Sequence, residues 1–162
     1  MKRPWQHAAA LLLLAASAWV HAGNFTGIVT HVTDGDSLWV RPLAGGPPRP
    51  VRLLGIDAPE ICQAYGPQAR DALAARVLHQ PVRVASRQRD TYQRVLGKVT
   101  LGGQDLGLWM VSRGHAWSYR FHRDRGPYAQ REAQARSARL GLWRGPAPLP
   151  PRDFRKRHGS CK

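Results

Sequence analysis

One change of hydrophobic period limits what this chain can fold into. Five short runs carry strand-like patterning: 25–32 (FTGIVTHV), 37–41 (SLWVR), 51–54 (VRLL), 81–86 (PVRVAS) and 94–101 (RVLGKVTL). Between the third and the fourth lies GPQARDALAARVLHQ (66–80), where Ala69, Leu73 and Val77 recur at intervals of four and Arg70 and Asp71 face away. That spacing belongs to an amphipathic helix. Two more helices are expected after the fifth strand, at 103–114, ended by Gly114, and at 128–141, alanine-faced and ended by Gly141. Short strands interrupted once by a helix, with helices again at the end, predict an α+β fold that is mainly a small β-barrel. Such barrels commonly bind oligonucleotides on one face.

The two ends of the chain read differently from its middle. Lys2 and Arg3 precede an apolar run at 8–20, and Val20-His21-Ala22 offers a small-residue cleavage site before Gly23. This is the pattern of a secretory signal peptide over 1–22, too short for a spanning helix. The expected product is exported, periplasmic or secreted, with no transmembrane segment after cleavage; an uncleaved N-terminal anchor is the alternative. One domain is expected over 23–144, followed by a Pro/Arg-rich basic tail over 145–162 that makes a poor core former.

Charge narrows the partners. The chain has 25 Lys and Arg against 10 Asp and Glu; loss of Lys2 and Arg3 leaves a net charge of +13. Most of the excess is arginine, whose planar fork suits phosphate. Polyanions are the expected partners, nucleic acid first and anionic lipid or cell-wall polymer second. The two cysteines, Cys62 and Cys161, form no metal-binding spacing, and an even count in an exported chain favours a disulfide. Free thiols or an intermolecular link are the alternatives. A bridge would pin the tail beside Glu60.

In so basic a chain, the clustering of acids is informative. Asp34, Asp36, Asp57 and Glu60 all sit at strand-end turns, in TDGDSLWV (33–40) and VRLLGIDAPE (51–60). Neighbouring carboxylates repel unless a positive group lies between them, and oxygen ligands without Cys or His select a hard cation, Ca²⁺ or Mg²⁺. Arg52 lies five residues before Asp57, and Arg94 follows Asp90 and Tyr92. Carboxylates flanked by arginines are what phosphodiester hydrolysis requires: positive groups for the transition-state charge and an acid to activate water. The competing reading is that each acid caps its own turn. GDSL (35–38) also spells an esterase motif, but that chemistry needs a late Asp-x-x-His, and no Asp here has a His three residues on.

Seven segments come in a telling order: TDGDSLWV, VRLLGIDAPE, YGPQAR (65–70), RDTYQRVLGKV (89–99), GHAWSYR (114–120), EAQAR (132–136) and GLW (141–143). Together they resemble the staphylococcal (micrococcal) nuclease family, or thermonucleases, from about Phe25 to Trp143. The resemblance implies a five-stranded OB-fold barrel with three helices and a Ca²⁺-dependent nuclease. Such an enzyme cleaves DNA and RNA with little sequence preference and leaves 3′-phosphates. It further implies Asp36, Asp57 and the backbone carbonyl of Ala58 as Ca²⁺ ligands, and Glu60 as the acid at the attacking water. Arg52 and Arg94 match the arginines on the scissile phosphate, and Tyr92 and Tyr119 the tyrosines that contact bound nucleotide.

Several positions depart from the family pattern. Ser37 stands for the usual Thr, Gln93 for the Gly of D-x-Y-G-R, and Thr91 for a lysine. The loop from Glu60 to Tyr65 is short, and the spacing before Tyr119 differs by one residue. A monomer without stable protein partners is expected. The rival readings are a non-catalytic OB-fold nucleic-acid binder and an envelope polyanion binder. Trp39, Trp109, Trp117 and Trp143 would stack on bases or, more commonly for such residues, pack the interior.

Overall fold

Strand β1 (Phe25–Asp34) turns straight into β2 (Ser37–Pro42), with Asp34 opposite Ser37 so that only Gly35 and Asp36 make the hairpin loop. A computed structural model describes residues 23–119 and 122–161; the expected signal peptide lies outside the described residues. β2 continues antiparallel to β3 (Arg49–Leu53), and β1 pairs on its other edge with β5 (Pro81–Arg89), which pairs with β6 (Val95–Leu101). A parallel pairing of β3 with β6, Arg52 opposite Leu96, joins the two ends. The five strands thus close into the expected barrel, and closure removes the free edges of an open sheet. Irregular register in β1 and β5 supplies the bends that closure needs.

Alternation along the strands sends Val29, Val40, Val51, Val84 and Val99 into a barrel interior with no accessible surface. The helix between the third and fourth barrel strands is present as α1 (Gly66–Val77), with Ala69, Leu73 and Val77 buried as their spacing predicts. It ends three residues before the expected Gln80. His79 takes a left-handed φ of 63°, and Pro81 begins β5. The expected helix at 103–114 starts later, because Gln104–Asp105 (β7) first pairs back on β6. Asp105 then caps α2 (Leu106–Ser112), accepting from the Leu108 amide at 3.2 Å.

α3 (Ala129–Ser137) packs against a second, smaller core of Trp117, Ala135, Leu142 and Trp143. Its Glu132, 2% exposed, accepts from the Ser118 amide at 2.7 Å and from Arg136 at 2.6 Å. The first of these ties α3 to the short strand β8 (Trp117–Ser118), which pairs antiparallel with β4 (Ile56–Asp57). Trp117 and Trp143 are therefore interior residues, and Trp109 packs half-buried on the main core. Trp39 alone of the four is exposed, on the outer face of β2.

The basic tail is more than a trailing segment. Pro151–His158 forms a helix, α4, with Pro151 at its first turn and buried. A disulfide between Cys62 and Cys161 returns the chain end to the loop after β4. Among the described residues no helix is long and apolar enough to cross a membrane.

Candidate active site

Gly35 brings the first acid into position. A Cβ there would lie 2.7 Å from the Ala58 Cβ and 2.9 Å from the Ala69 Cβ, so only glycine lets the β1–β2 turn lie flat on these two residues. Asp36, 1% exposed, then accepts the Ala58 amide at 2.7 Å through Oδ2 and the Ser37 hydroxyl at 3.0 Å through Oδ1. Ser37 keeps the hydroxyl function expected of a threonine there.

Gly55 sets the second approach. Its φ of 83° reverses the chain between β3 and β4, and Arg52 on one side meets Asp57 on the other. Arg52 Nη2 donates to Asp57 Oδ1 at 3.0 Å, while Nη1 is ion-paired with Asp36 Oδ1. One guanidinium bridges two nearly buried carboxylates. Burial pulls the Arg52 guanidinium below its usual range, and the charges of Asp57 and Asp34 only partly oppose it. Asp34 accepts the Asp36 amide at 3.0 Å, and its carboxyl is pushed up by burial against the opposing pull of Arg52.

Arg94 enters from the β5–β6 connection. Its Nε donates to Asp90 Oδ2 at 2.7 Å, Nη1 reaches the Ser37 hydroxyl at 3.3 Å, and the guanidinium lies 5.3 Å from the centroid of the Tyr92 ring. Asp90 organises the turn, accepting the amides of Tyr92 and Arg94 at 2.9 and 3.0 Å. Burial raises the Asp90 carboxyl, but the hydrogen bonds and charge of Arg94 outweigh it and hold the group below its usual range. Gln93 takes a left-handed φ of 62°, a conformation that glycine adopts at less cost.

One groove of about 780 Å³ has Asp34, Arg52, Glu60, Tyr92, Arg94 and Tyr119 in its walls. Tyr92 is 77% exposed and Tyr119 43%, so both present their rings to solvent along it. Asp36, Asp57 and Ala58 are buried and do not line this groove. Arg52, which does, pairs with both carboxylates, and Asp57 lines a second groove with Trp117, Tyr119 and Asp153. Among the described residues no three His, Cys, Asp or Glu side chains group as a metal cluster. Asp36 and Asp57 offer only oxygen donors, the chemistry a hard cation takes, and in this structure the Arg52 guanidinium spans the two carboxylates. Arg155, from α4, also lines the groove and donates to Glu60 Oε1 at 2.6 Å. Sequence reading missed it, although the basic run 152–158 and a Cys62–Cys161 bridge beside Glu60 were its signals.

The family profile described as staphylococcal nuclease homologue matches residues 50–145. Protein ParB of Escherichia coli is 38% identical over 92% of this chain and 88% of its own length. A micrococcal nuclease of Shigella flexneri is 37% identical over 92% and 89%. An uncharacterized endonuclease of Haemophilus influenzae is 35% identical over 79% and 71%. Barrel, groove and likeness define a nuclease, a hydrolase of phosphodiester bonds. The chain belongs to the staphylococcal nuclease family.

Proposed function

We propose that this protein is an exported, Ca²⁺-dependent nuclease that hydrolyses DNA and RNA without sugar preference and leaves 3′-phosphate ends. The observation that carries the reading is the shared groove: Arg52 and Arg94, two guanidinium groups, open onto the same space as the Glu60 carboxylate. Binding alone calls for positive charge; it does not call for an acid among the arginines.

In this reading Arg52 and Arg94 hold the non-bridging oxygens of a phosphodiester and stabilise the extra charge of the five-coordinate transition state. Glu60 takes a proton from a water as the water oxygen bonds to phosphorus. The P–O5′ bond breaks, O5′ takes a proton from solvent water to leave as a 5′-hydroxyl, and the phosphate stays on the 3′ side. Tyr92 and Tyr119 bind the sugar-base units beside the phosphate through exposed rings, contacts that ignore the base and the 2′ position. Asp36, Asp57 and the Ala58 carbonyl would hold the cation, which supplies Lewis-acid polarisation of the phosphate when bound.

Export is supported by the basic and apolar N-terminus and by a disulfide that spans 99 residues. Hydrolysis of single-stranded DNA and of RNA by protein beginning at Gly23 tests the reading, with Ca²⁺, with Mg²⁺ and with chelator, the product ends being identified. Cleavage of both polymers with Ca²⁺ and none with chelator, leaving 3′-phosphates, is the expected result. Cleavage in chelator, or 5′-phosphate ends, would overturn it. Mass spectrometry of the exported protein should find Gly23 at the N-terminus.

A further inference from the structure

The loop that carries Glu60 is gripped by the C-terminal tail at three places. Gln63 Nε2 donates to the Leu149 carbonyl at 2.5 Å, just before α4, while Gln63 Oε1 accepts the Glu60 amide at 3.2 Å. In the middle of α4, Arg155 Nη1 donates to Glu60 Oε1 at 2.6 Å and to Asp57 Oδ1 at 3.3 Å, and its Nη2 to Asp57 Oδ2 at 3.3 Å. Beyond the helix, Cys161 is bonded to Cys62. All three anchors fall within residues 57–63, and the helix lies outside the stretch of 50–145 that matches the family.

We propose that Arg155 is a positioning residue of this nuclease, a third site arginine that holds the Glu60 carboxylate in register and that the Cys62–Cys161 bridge keeps in place. The inference rests on the reading of Glu60 as the acid that acts on water. A glutamate is a poor base unless its carboxylate is held, because its three side-chain torsions otherwise scatter the oxygens. One oxygen suffices to take a proton, so a bond through Oε1 orients the group without consuming it. The Arg155 side chain is about one-third exposed and Glu60 about one-fifth, so water screens the pair only in part. The planar fork lets one side chain reach Glu60 and Asp57 together, which a lysine cannot do with equal geometry. A cation at Asp57 would share that carboxylate with Arg155, whose shorter bond is the one to Glu60.

The test uses the oxidised protein from Gly23 with saturating Ca²⁺ and single-stranded DNA. Arg155→Gln should lower kcat about 10- to 100-fold, the scale of a misplaced group, with KM and thermal midpoint nearly unchanged. Arg155→Lys should recover part of the rate, Arg152→Gln on the same helix should keep it, and Cys161→Ser should reproduce the loss. An unchanged or raised kcat in Arg155→Gln would overturn the proposal, as would a rise in KM alone, which would make Arg155 a substrate contact. Calorimetric titration with Ca²⁺, without substrate, should show several-fold tighter binding to Arg155→Gln. Unchanged affinity would contradict the contact with Asp57. A wild type that cleaves nothing would instead sink the reading of Glu60, and the titration would still report on Arg155.

Discussion

The carboxylate of Asp36 accepts the backbone amide of Ala58 at 2.7 Å across 22 residues of chain. That bond joins the β1–β2 turn to the loop after β4, so the two acids expected to share a cation are set by one contact rather than by two independent loops. Arg52 reinforces it by pairing with both carboxylates. A charged residue buried to this degree is tolerable only when so paired.

Gly35→Ala tests the approach that makes this bond possible. The added methyl would meet Ala58 and Ala69 at under 3 Å, and neither is the end of a flexible side chain. The turn has to lift, at about 1–3 kcal/mol, the usual cost of overpacking. Denaturant unfolding should show that loss, and cleavage should fall with it even at temperatures where the variant is folded.

Glu60→Gln keeps the shape of the side chain and removes its capacity to take a proton. The rate should fall about 10²- to 10⁴-fold, the usual contribution of a general base, with DNA affinity little changed. Single-turnover cleavage and a binding isotherm on the same preparation measure both. An unchanged rate would remove Glu60 from the chemistry.

Gln93→Gly should stabilise the protein. A left-handed φ of 62° costs a side chain about 1–2 kcal/mol, and glycine's greater freedom when unfolded returns about 0.5–1 of it. The thermal midpoint is expected to rise by a few degrees with activity kept, since Asp90 already holds Arg94 in the turn.

Acid should weaken the same turn. Asp90 is held below its usual range, so its contribution to stability is complete above the unfolded value of about 3.9 and is lost as pH falls through the lower folded value. Asp90→Asn should flatten that part of the stability profile and lower kcat by freeing the Arg94 guanidinium. Urea midpoints between about pH 5 and 2 give the first, and cleavage at neutral pH the second.

Reduction of the Cys62–Cys161 bridge opens a closure over 99 residues. Chain entropy puts the loss at about 4–5 kcal/mol. The guanidinium midpoint with and without reductant measures it, and a shift of less than about 1 kcal/mol would show that the unfolded chain is not much constrained by the link.

The sequence by itself determined the barrel and the buried face of the first helix, and it named the candidate acids and arginines. Strand alternation and the four-residue spacing of Ala69, Leu73 and Val77 are local signals, read from neighbours along the chain. The ordered motifs from Asp36 to Trp143 located Arg52, Asp57, Glu60 and Arg94 for the same reason: each lies in a short segment that carries its own turn residues. Tertiary structure alone decided what lies far apart in sequence. It sent Trp117 and Trp143 inward and left Trp39 on the surface, because burial depends on which elements pack over a ring. It let Gln93 take a glycine's conformation, because Asp90 supplies the bonds that hold the turn. It also brought Arg155 to Glu60 across 95 residues. A Pro/Arg-rich tail has no apolar periodicity to announce where it docks; a disulfide, a glutamine and two carboxylates hold it there, and such partners meet only once the chain has folded.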